Sequence, residues 1–383
     1  GGGGEGGGGG EGGGGGEGGG GSGEGGGGSG EGGGGSGEGG GGSGEGGGGE
    51  SGGGGESGGG GGGGGFMGVA PETKSISEGY AASLAFLSHI GNWLPDYTYQ
   101  TAELSIRNLN AWQAFSGMDA ASFKVKTGSH VSVKGINFIV GAAIKFENVL
   151  GALLFGAFVE GGVSSYDVHT DVVTADFKEV GGGGHMRSLG VGIMLSQKIK
   201  DRFRFETSFR YGKLQNTFTA VNYQSPDGTT ASFKMNVPYM GGHVGLGYTI
   251  GLGDFGNIDL SARYYLNHVK AQELHIGTGA VVSFDSTTSK RFRVGARFTK
   301  PFTEYISGFA GAYFDREFDN MTRGRVFNME LQSVGLKGTT GVYELGAAIK
   351  SATNKHLSIE FGIQGYTGVF KGLSGGVRLG VEF

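Results

Sequence analysis

The chain has 383 residues, 93 of them glycine, with five prolines, no cysteine and a net charge of −5. The missing cysteines exclude a disulfide framework and thiolate metal or redox chemistry. No run of 18 apolar residues occurs, which excludes a membrane-spanning helix but not a spanning barrel.

Residues 1–65 are Gly, Glu and Ser alone, and nine glutamates with no Lys or Arg give that stretch −9, leaving +4 for the rest. From Gly23 the pattern "GEGGGGS" repeats every seven residues with no apolar residue in any phase, so it is not a coiled-coil heptad. Glycine loses the most backbone entropy on ordering, and nothing here offsets that loss, so 1–65 is predicted to be a disordered, self-repelling coil. It reads as a linker or passenger remnant, or as a segment kept unfolded to thread a pore; Ca²⁺ binding by the glutamates is a third reading. The chain opens on glycine without an initiator Met or leader, so a fragment or processed form is expected.

Ser75-Ile76-Ser77-Glu78 matches a capping box. Ile76, Tyr80, Leu84 and Leu87, with His89 or Ile90, follow at helical spacing, and Gly91 and Pro95 mark the end. The spacing predicts an amphipathic helix over about 75–91, inside a linker spanning 66–111.

From Trp112 the period becomes two. In "RFRFETSFRY" Phe203, Phe205, Thr207, Phe209 and Tyr211 oppose Arg202, Arg204, Glu206, Ser208 and Arg210. In "RFRVGARF" Arg291, Arg293 and Arg297 oppose Phe292, Val294, Ala296 and Phe298; in "LSIEFGIQ" Leu357, Ile359, Phe361 and Ile363 oppose Ser358, Glu360, Gly362 and Gln364. The period predicts twelve strands, near 112–118, 131–146, 150–168, 183–199, 202–219, 236–251, 257–269, 290–300, 304–317, 338–350, 356–367 and 374–383.

Short connections ("ENV", "KIKD", "LGDFG", "KPF", "ATNK") alternate with long ones at 167–184, 220–234 and 316–335. Such segregation, with an even strand count, belongs to an outer-membrane barrel rather than a sandwich. The expected fold is therefore an all-β, 12-stranded antiparallel barrel over 112–383, apolar outside and polar within, closed so that lipid meets no strand edge. Arg204, Glu206, Arg210, Arg263, Arg293, Arg297, Glu344 and Glu360 are expected to face the pore. Inward Gly190, Gly192, Gly245, Gly247 and Gly295 are expected to make room for the helix carrying Ile76, Tyr80, Leu84 and Leu87. The strand "GGVRLGVEF" places Val377, Leu379, Val381 and Phe383 toward lipid and offers an exposed β signal before assembly.

These residues resemble the C-terminal translocator domains of type V autotransporters from Gram-negative bacteria. The matches run through "SEGYAASLAFL" (77–87), "TGSHVSVKG" (127–135), "GALLFGAFVEGGVSSYDVH" (151–169), "GGHVGLGY" (241–248), "GLKGTTGVYELG" (335–346), "GIQGYTG" (362–368) and the terminal "GGVRLGVEF". The resemblance implies a twelve-stranded barrel with a helix in its pore and export of the chain's own N-terminal passenger. It also implies outer-membrane lipid, the barrel assembly machinery and periplasmic chaperones as partners, a monomer, a tail on the cell surface, and no cofactor. The family's C-terminal assembly signal falls on Val377, Leu379, Val381 and Phe383. Members that cleave their passenger inside the barrel use an Asn-Asn step; here Asn92 precedes Trp93, which weighs against cleavage, and the tail is expected to stay attached.

Two other functions compete: a passive channel or anchor displaying the glycine coil, and a rim-active protease similar to the omptins. Asp167, His169 and Asp171, and Asp315, Glu317 and Asp319, share strand faces at the bases of long loops, but a solvated loop base is the favoured reading, since barrel loops are acidic by default and no second convergent set can be placed. "GLGDFG" matches a dinucleotide fingerprint literally yet joins two strands, so it reads as a hairpin turn. The scattered histidines lack metal-ligand spacing, Glu160 joins the inward charges, and the basic residues line a lumen rather than a nucleic-acid surface.

Overall fold

The computed structural model describes residues 73–93, 110–170, 180–224, 227–351 and 357–383. The tail 1–65, linker residues 66–72 and 94–109, Asp171 and the 352–355 connection lie outside them. Twelve strands form one closed antiparallel sheet: β1 (Trp112–Lys126), β2 (His130–Asn148), β3 (Gly151–Thr170), β4 (Val180–Ile199), β5 (Phe203–Gln224), β6 (Thr230–Gly251), β7 (Asn257–Val269), β8 (Thr287–Pro301), β9 (Ile306–Asp319), β10 (Gly338–Lys350), β11 (Leu357–Gly368) and β12 (Phe370–Glu382). Each pairs with its sequence neighbour. β12 returns to β1, with Glu382 opposite Gln113 and the Phe383 amide donating to the Trp112 carbonyl at 2.9 Å. Closure leaves the barrel no free edge. Among the described residues one helix, α1 (Lys74–Trp93), precedes β1.

The outward residues near the rim holding the C-terminus form an apolar belt. Met118, Phe138, Val163, Leu189, Phe209 and Leu246 are among its exposed members. Trp112, Phe203, Phe302 and Phe383 mark the lower border, and Tyr211, Phe314 and Tyr343 lie higher. Aromatic residues at both borders of such a belt are the pattern of a lipid-embedded barrel.

Toward the other rim the polarity of the two faces exchanges. On β1 the outward residues pass from Met118 and Ala120 to Ser122, Lys124 and Lys126, while inward Asp119 gives way to Ala121, Phe123 and Val125. The same exchange occurs on β2, β5 and β6, where Val131, Val133, Leu214, Phe218, Phe233, Met235 and Val237 are buried inside. This explains why the period predicts strands that stop short at 118 and start late at 236. The pleat continues, but its apolar phase inverts where the strand leaves lipid and meets an apolar filling. The expectation of a polar lumen therefore holds for part of the lower half alone, since Phe115, Ile139, Leu154, Phe158 and Met194 form an apolar cluster inside β1–β4 there.

The segments expected as long loops at 167–184, 220–234 and 316–335 are corrected in the same sense. Residues 167–170 and 180–184, and 220–224 and 230–234, are strand, with Asp167 opposite Gly183 and Gln224 opposite Thr230, while 171–179 and 225–226 lie outside the described residues. Short strands at 324–326 and 329–330 join 272–275 and 281–284 in a separate four-stranded sheet. The connections at 149–150, 200–202, 252–256 and 302–305 share the rim of the C-terminus and are short; the opposite rim carries the long connections at 270–286 and 320–337 but also two tight ones, 127–129 and 369. "GLGDFG" is such a turn: Gly253 and Gly256 hold φ of +62° and +115°, and a Cβ on Gly256 would lie 2.1 Å from the Thr299 carbonyl oxygen.

Candidate functional site: the barrel interior

Helix α1 lies inside the barrel. Every described side chain from Thr73 to Asn92 is buried, the stripe of Ile76, Tyr80, Leu84 and Leu87 and the opposite face alike. The expected amphipathic helix is corrected in that respect: its polar face meets polar wall residues instead of water. The capping box does not form either, because Ser75 is already helical. The Glu78 carboxylate instead accepts from the hydroxyls of Thr127 (2.7 Å) and Ser129 (2.6 Å) in the β1–β2 turn, while Lys74 Nζ donates to Ser129 Oγ at 2.9 Å.

Polar tethers run down the helix. Asn216 Nδ2 on β5 donates to the Gly79 carbonyl (2.8 Å) and Ser83 Oγ (2.7 Å), and is itself held by the Tyr166 hydroxyl at 2.8 Å. Arg210 Nη2 donates to the Leu87 carbonyl at 2.9 Å and Nη1 to Glu160 at 3.1 Å. His89 Nε2 lies 2.8 Å from Asp119 Oδ2, and Arg291 donates to Asn92 Oδ1. Side-chain bonds into helix carbonyls fix depth and rotation together, which apolar contact alone does not. Gly79 and Gly91 allow the approach: a Cβ would stand 2.7 Å from Phe218 Cδ2 and 2.5 Å from Arg210 Nη2, respectively.

All eight residues expected to face the pore are buried inward-pointing side chains. They form networks built on one rule of register. Glu206 reaches Arg263 over Gly245, which is the partner of both on the strand between them. Arg210 reaches Asn267 over Gly241, and Arg297 lies 3.8 Å from Glu344 over Gly311. Glu160 accepts from the Tyr239 hydroxyl at 2.8 Å across two strands, over Gly190 and Gly212. Arg293 is bidentate to Asp315 at 2.6 and 2.8 Å, and Glu360 joins Arg297 and Arg378 at 3.1 and 2.8 Å.

Hence the inward glycines do not make room for the helix as expected. A Cβ on Gly190, Gly192, Gly245 or Gly295 would collide with Tyr239, Phe158, Glu206 or Tyr313, and one on Gly247 would press on Arg204 at 3.1 Å, all residues of the barrel wall. In a low-dielectric wall each ion needs a partner, and the bare glycine surface lets that partner come from a strand farther away.

Above α1 the interior is closed by segments of the two long connections, which the expected fold did not include. Leu274, Ile276, Val282, Phe284, Leu331 and Val334, from the two long connections, join one buried cluster with Ile76 and Tyr80. The Tyr80 and Phe284 rings stack with centroids 4.3 Å apart and planes at 8°, and burial pushes the Tyr80 hydroxyl up to about 12. Alternation in "VVSF" and "ELHI" was the available signal. Asn216, Asp119 and Asn267 were likewise missed, since nothing distinguishes them from other inward polar residues.

Among the described residues the rim acids do not converge, and Asp171 lies outside them. Asp167 and His169 are exposed on the outer wall, where His169 stacks on His130 at 4.5 Å, whereas Asp315 is inside with Arg293. Glu317, also inside, accepts from Ser289 at 2.7 Å, and Asp319 pairs at the rim with Lys290. Among the described residues no cluster of His, Asp and Glu fits a metal ion. Of the proposed terminal signal, Leu379, Val381 and Phe383 are exposed on the outer wall and Val377 is half-buried there.

A closed twelve-strand barrel with an apolar belt, segregated turns and a helix through its interior is matched at the level of family. The autotransporter beta-domain family aligns with residues 111–364. The chain belongs to that family. Autotransporter β-domains are outer-membrane translocators of type V secretion, and this chain is one.

Two autotransporter barrels of known structure share the fold. The translocator domain of NalP from Neisseria meningitidis superposes with a TM-score of 0.60 at 16% identity, covering 81% of this chain and 99% of that one. The β-domain of the Bordetella autotransporter BrkA gives 0.52 at 16% identity, covering 72% and 100%. Among curated proteins no relative matches the sequence.

Proposed function

We propose that this translocator exports a passenger carried N-terminal to α1, and that the helix then closes the pore and anchors the chain at the cell surface. The observation that carries this reading is the complete burial of α1 among wall residues bonded to its own backbone carbonyls, Gly79 and Leu87. A linker left in the pore after transit needs such a fit; an open channel has no use for it. The domain division follows: 1–65 as tail, 66–111 as linker and 112–383 as translocator, with the tail outside the cell.

In this reading Val377, Leu379, Val381 and Phe383 are the signal by which the barrel assembly machinery takes over the chain from periplasmic chaperones, because β12 must remain unpaired until β1 arrives. The barrel works as a monomer, since α1 fills its interior without a second chain. Planar-bilayer conductance tests the plug: little current is expected from the full chain and large steady current after deletion of 66–111. Equal, large conductance from both rejects it, and protease that fails to trim the tail on intact cells rejects surface display.

A further inference from the structure

The outer wall carries a cationic cluster where the apolar belt ends. Lys124 on β1 stands directly opposite Lys371 on β12, and Lys134 on β2 lies diagonal to Lys124, opposite Ser122. All three lysines and Ser122 are exposed, and none of the lysines has an ion pair or hydrogen bond among the described residues. Like charges directly opposed across an antiparallel pair destabilise it. This arrangement therefore works against the empty barrel and is relieved by an anion lying between the ammonium groups. On the far flank the equivalent cation is already neutralised, Lys290 by Asp319 at 3.4 Å. The nearest outward acid, Asp167, sits opposite Ser132 on the next strand over and pairs with none of the three.

Immediately below, the next outward residues are Leu373, Ile136 and Ala120, with Met118 one step further down; Leu373, Ile136 and Met118 are exposed by 58, 47 and 53%. Above, the strands are joined by the tight connections 127–129 and 369, so no long loop overhangs the cluster. Cations over an acyl-facing surface at the loop-bearing rim fit an amphiphile with a phosphorylated head and several chains. We infer that Lys124, Lys134 and Lys371, with Ser122, bind the phosphate of an acylated glycolipid in the outer leaflet, its chains lying along Leu373, Ile136 and Met118. The site rests on the outer-membrane placement of the barrel.

The test uses the full chain in detergent, titrated with diphosphorylated lipid A and followed by native mass spectrometry. Parallel titrations use dephosphorylated lipid A, phosphatidylglycerol and inorganic phosphate. K124Q/K134Q/K371Q is expected to weaken lipid A binding about a hundredfold, at roughly fivefold per lysine near a membrane surface, while the triple Arg variant and K300Q bind normally. The triple Gln variant should also unfold at a higher temperature than the parent without lipid and at a lower one with it, a crossover that a folding defect does not produce. Unchanged affinity in the triple Gln variant overturns the site, as does equal binding of dephosphorylated lipid A. Equal binding of phosphatidylglycerol shows unselective attraction and overturns it too, and saturable binding of inorganic phosphate alone shows a free-anion site instead. A chain that is folded and monodisperse without detergent overturns the membrane placement itself, a result separate from all of these.

Discussion

Replacing Arg210 with Met separates closure of the pore from stability of the barrel. Arg210 is 2% exposed and joins three groups: Glu160 on β3, Asn267 on β7 and the Leu87 carbonyl on α1. Losing the bond to Leu87 removes a charge-assisted contact worth about 1.5–3 kcal/mol, so the ratio of unseated to seated helix should rise roughly ten- to a hundredfold. The wall suffers separately. Glu160 keeps the Tyr239 hydroxyl but loses its cation, and breaking a buried pair from one side costs about 3–5 kcal/mol. Arg210→Met/Glu160→Gln removes the stranded charge as well, so it should recover most of the barrel's resistance to heat in detergent while leaving the helix loosely held. Single-channel recording gives the open fraction, and the temperature at which the compact gel band converts to the unfolded one gives barrel stability. An open fraction in Arg210→Met equal to the parent's refutes the tether. Recovery of closure together with stability in the double variant refutes the separation, because helix seating would then merely follow the wall.

Three further outcomes are expected. Gly79→Leu drives a side chain into Phe218, whose Cδ2 is 2.7 Å from the position of a Cβ, and should cost about 1–3 kcal/mol of helix seating; added Phe218→Ala should lower the leak current, and a leak that persists counts against the contact. Gly245→Val places atoms against Glu206 and Arg263, 2.9 and 3.0 Å from the Cβ, and should lower the unfolding midpoint in detergent by an amount matching about 3–5 kcal/mol; an unchanged midpoint rejects the bridging role of that glycine. In a chain free of other cysteines, Tyr80→Cys and Phe284→Cys should be joined by a short bis-maleimide in the assembled barrel, raising its resistance to opening, and failure to cross-link there rejects the stacked closure.

Twelve strands, their order of pairing and the outward or inward side of residues such as Phe209 and Arg210 were legible from the sequence, because a pleat has period two and a lipid boundary demands strict sorting by polarity. The same logic located the helix from Ile76, Tyr80, Leu84 and Leu87. Tertiary structure decided what the interior does with these residues. Local period says which face a side chain takes, but not which distant strand faces it across a closed cylinder. So Glu206 with Arg263 and Glu160 with Tyr239 became visible only when the barrel's register brought glycines between them, and Arg210 with Leu87 only when the helix was seated in the bore. The inversion of polarity at Phe123 and Val125, and the folding of Phe284 over Tyr80, follow from the helix already occupying the bore: apolar residues turn inward where they find something apolar to cover.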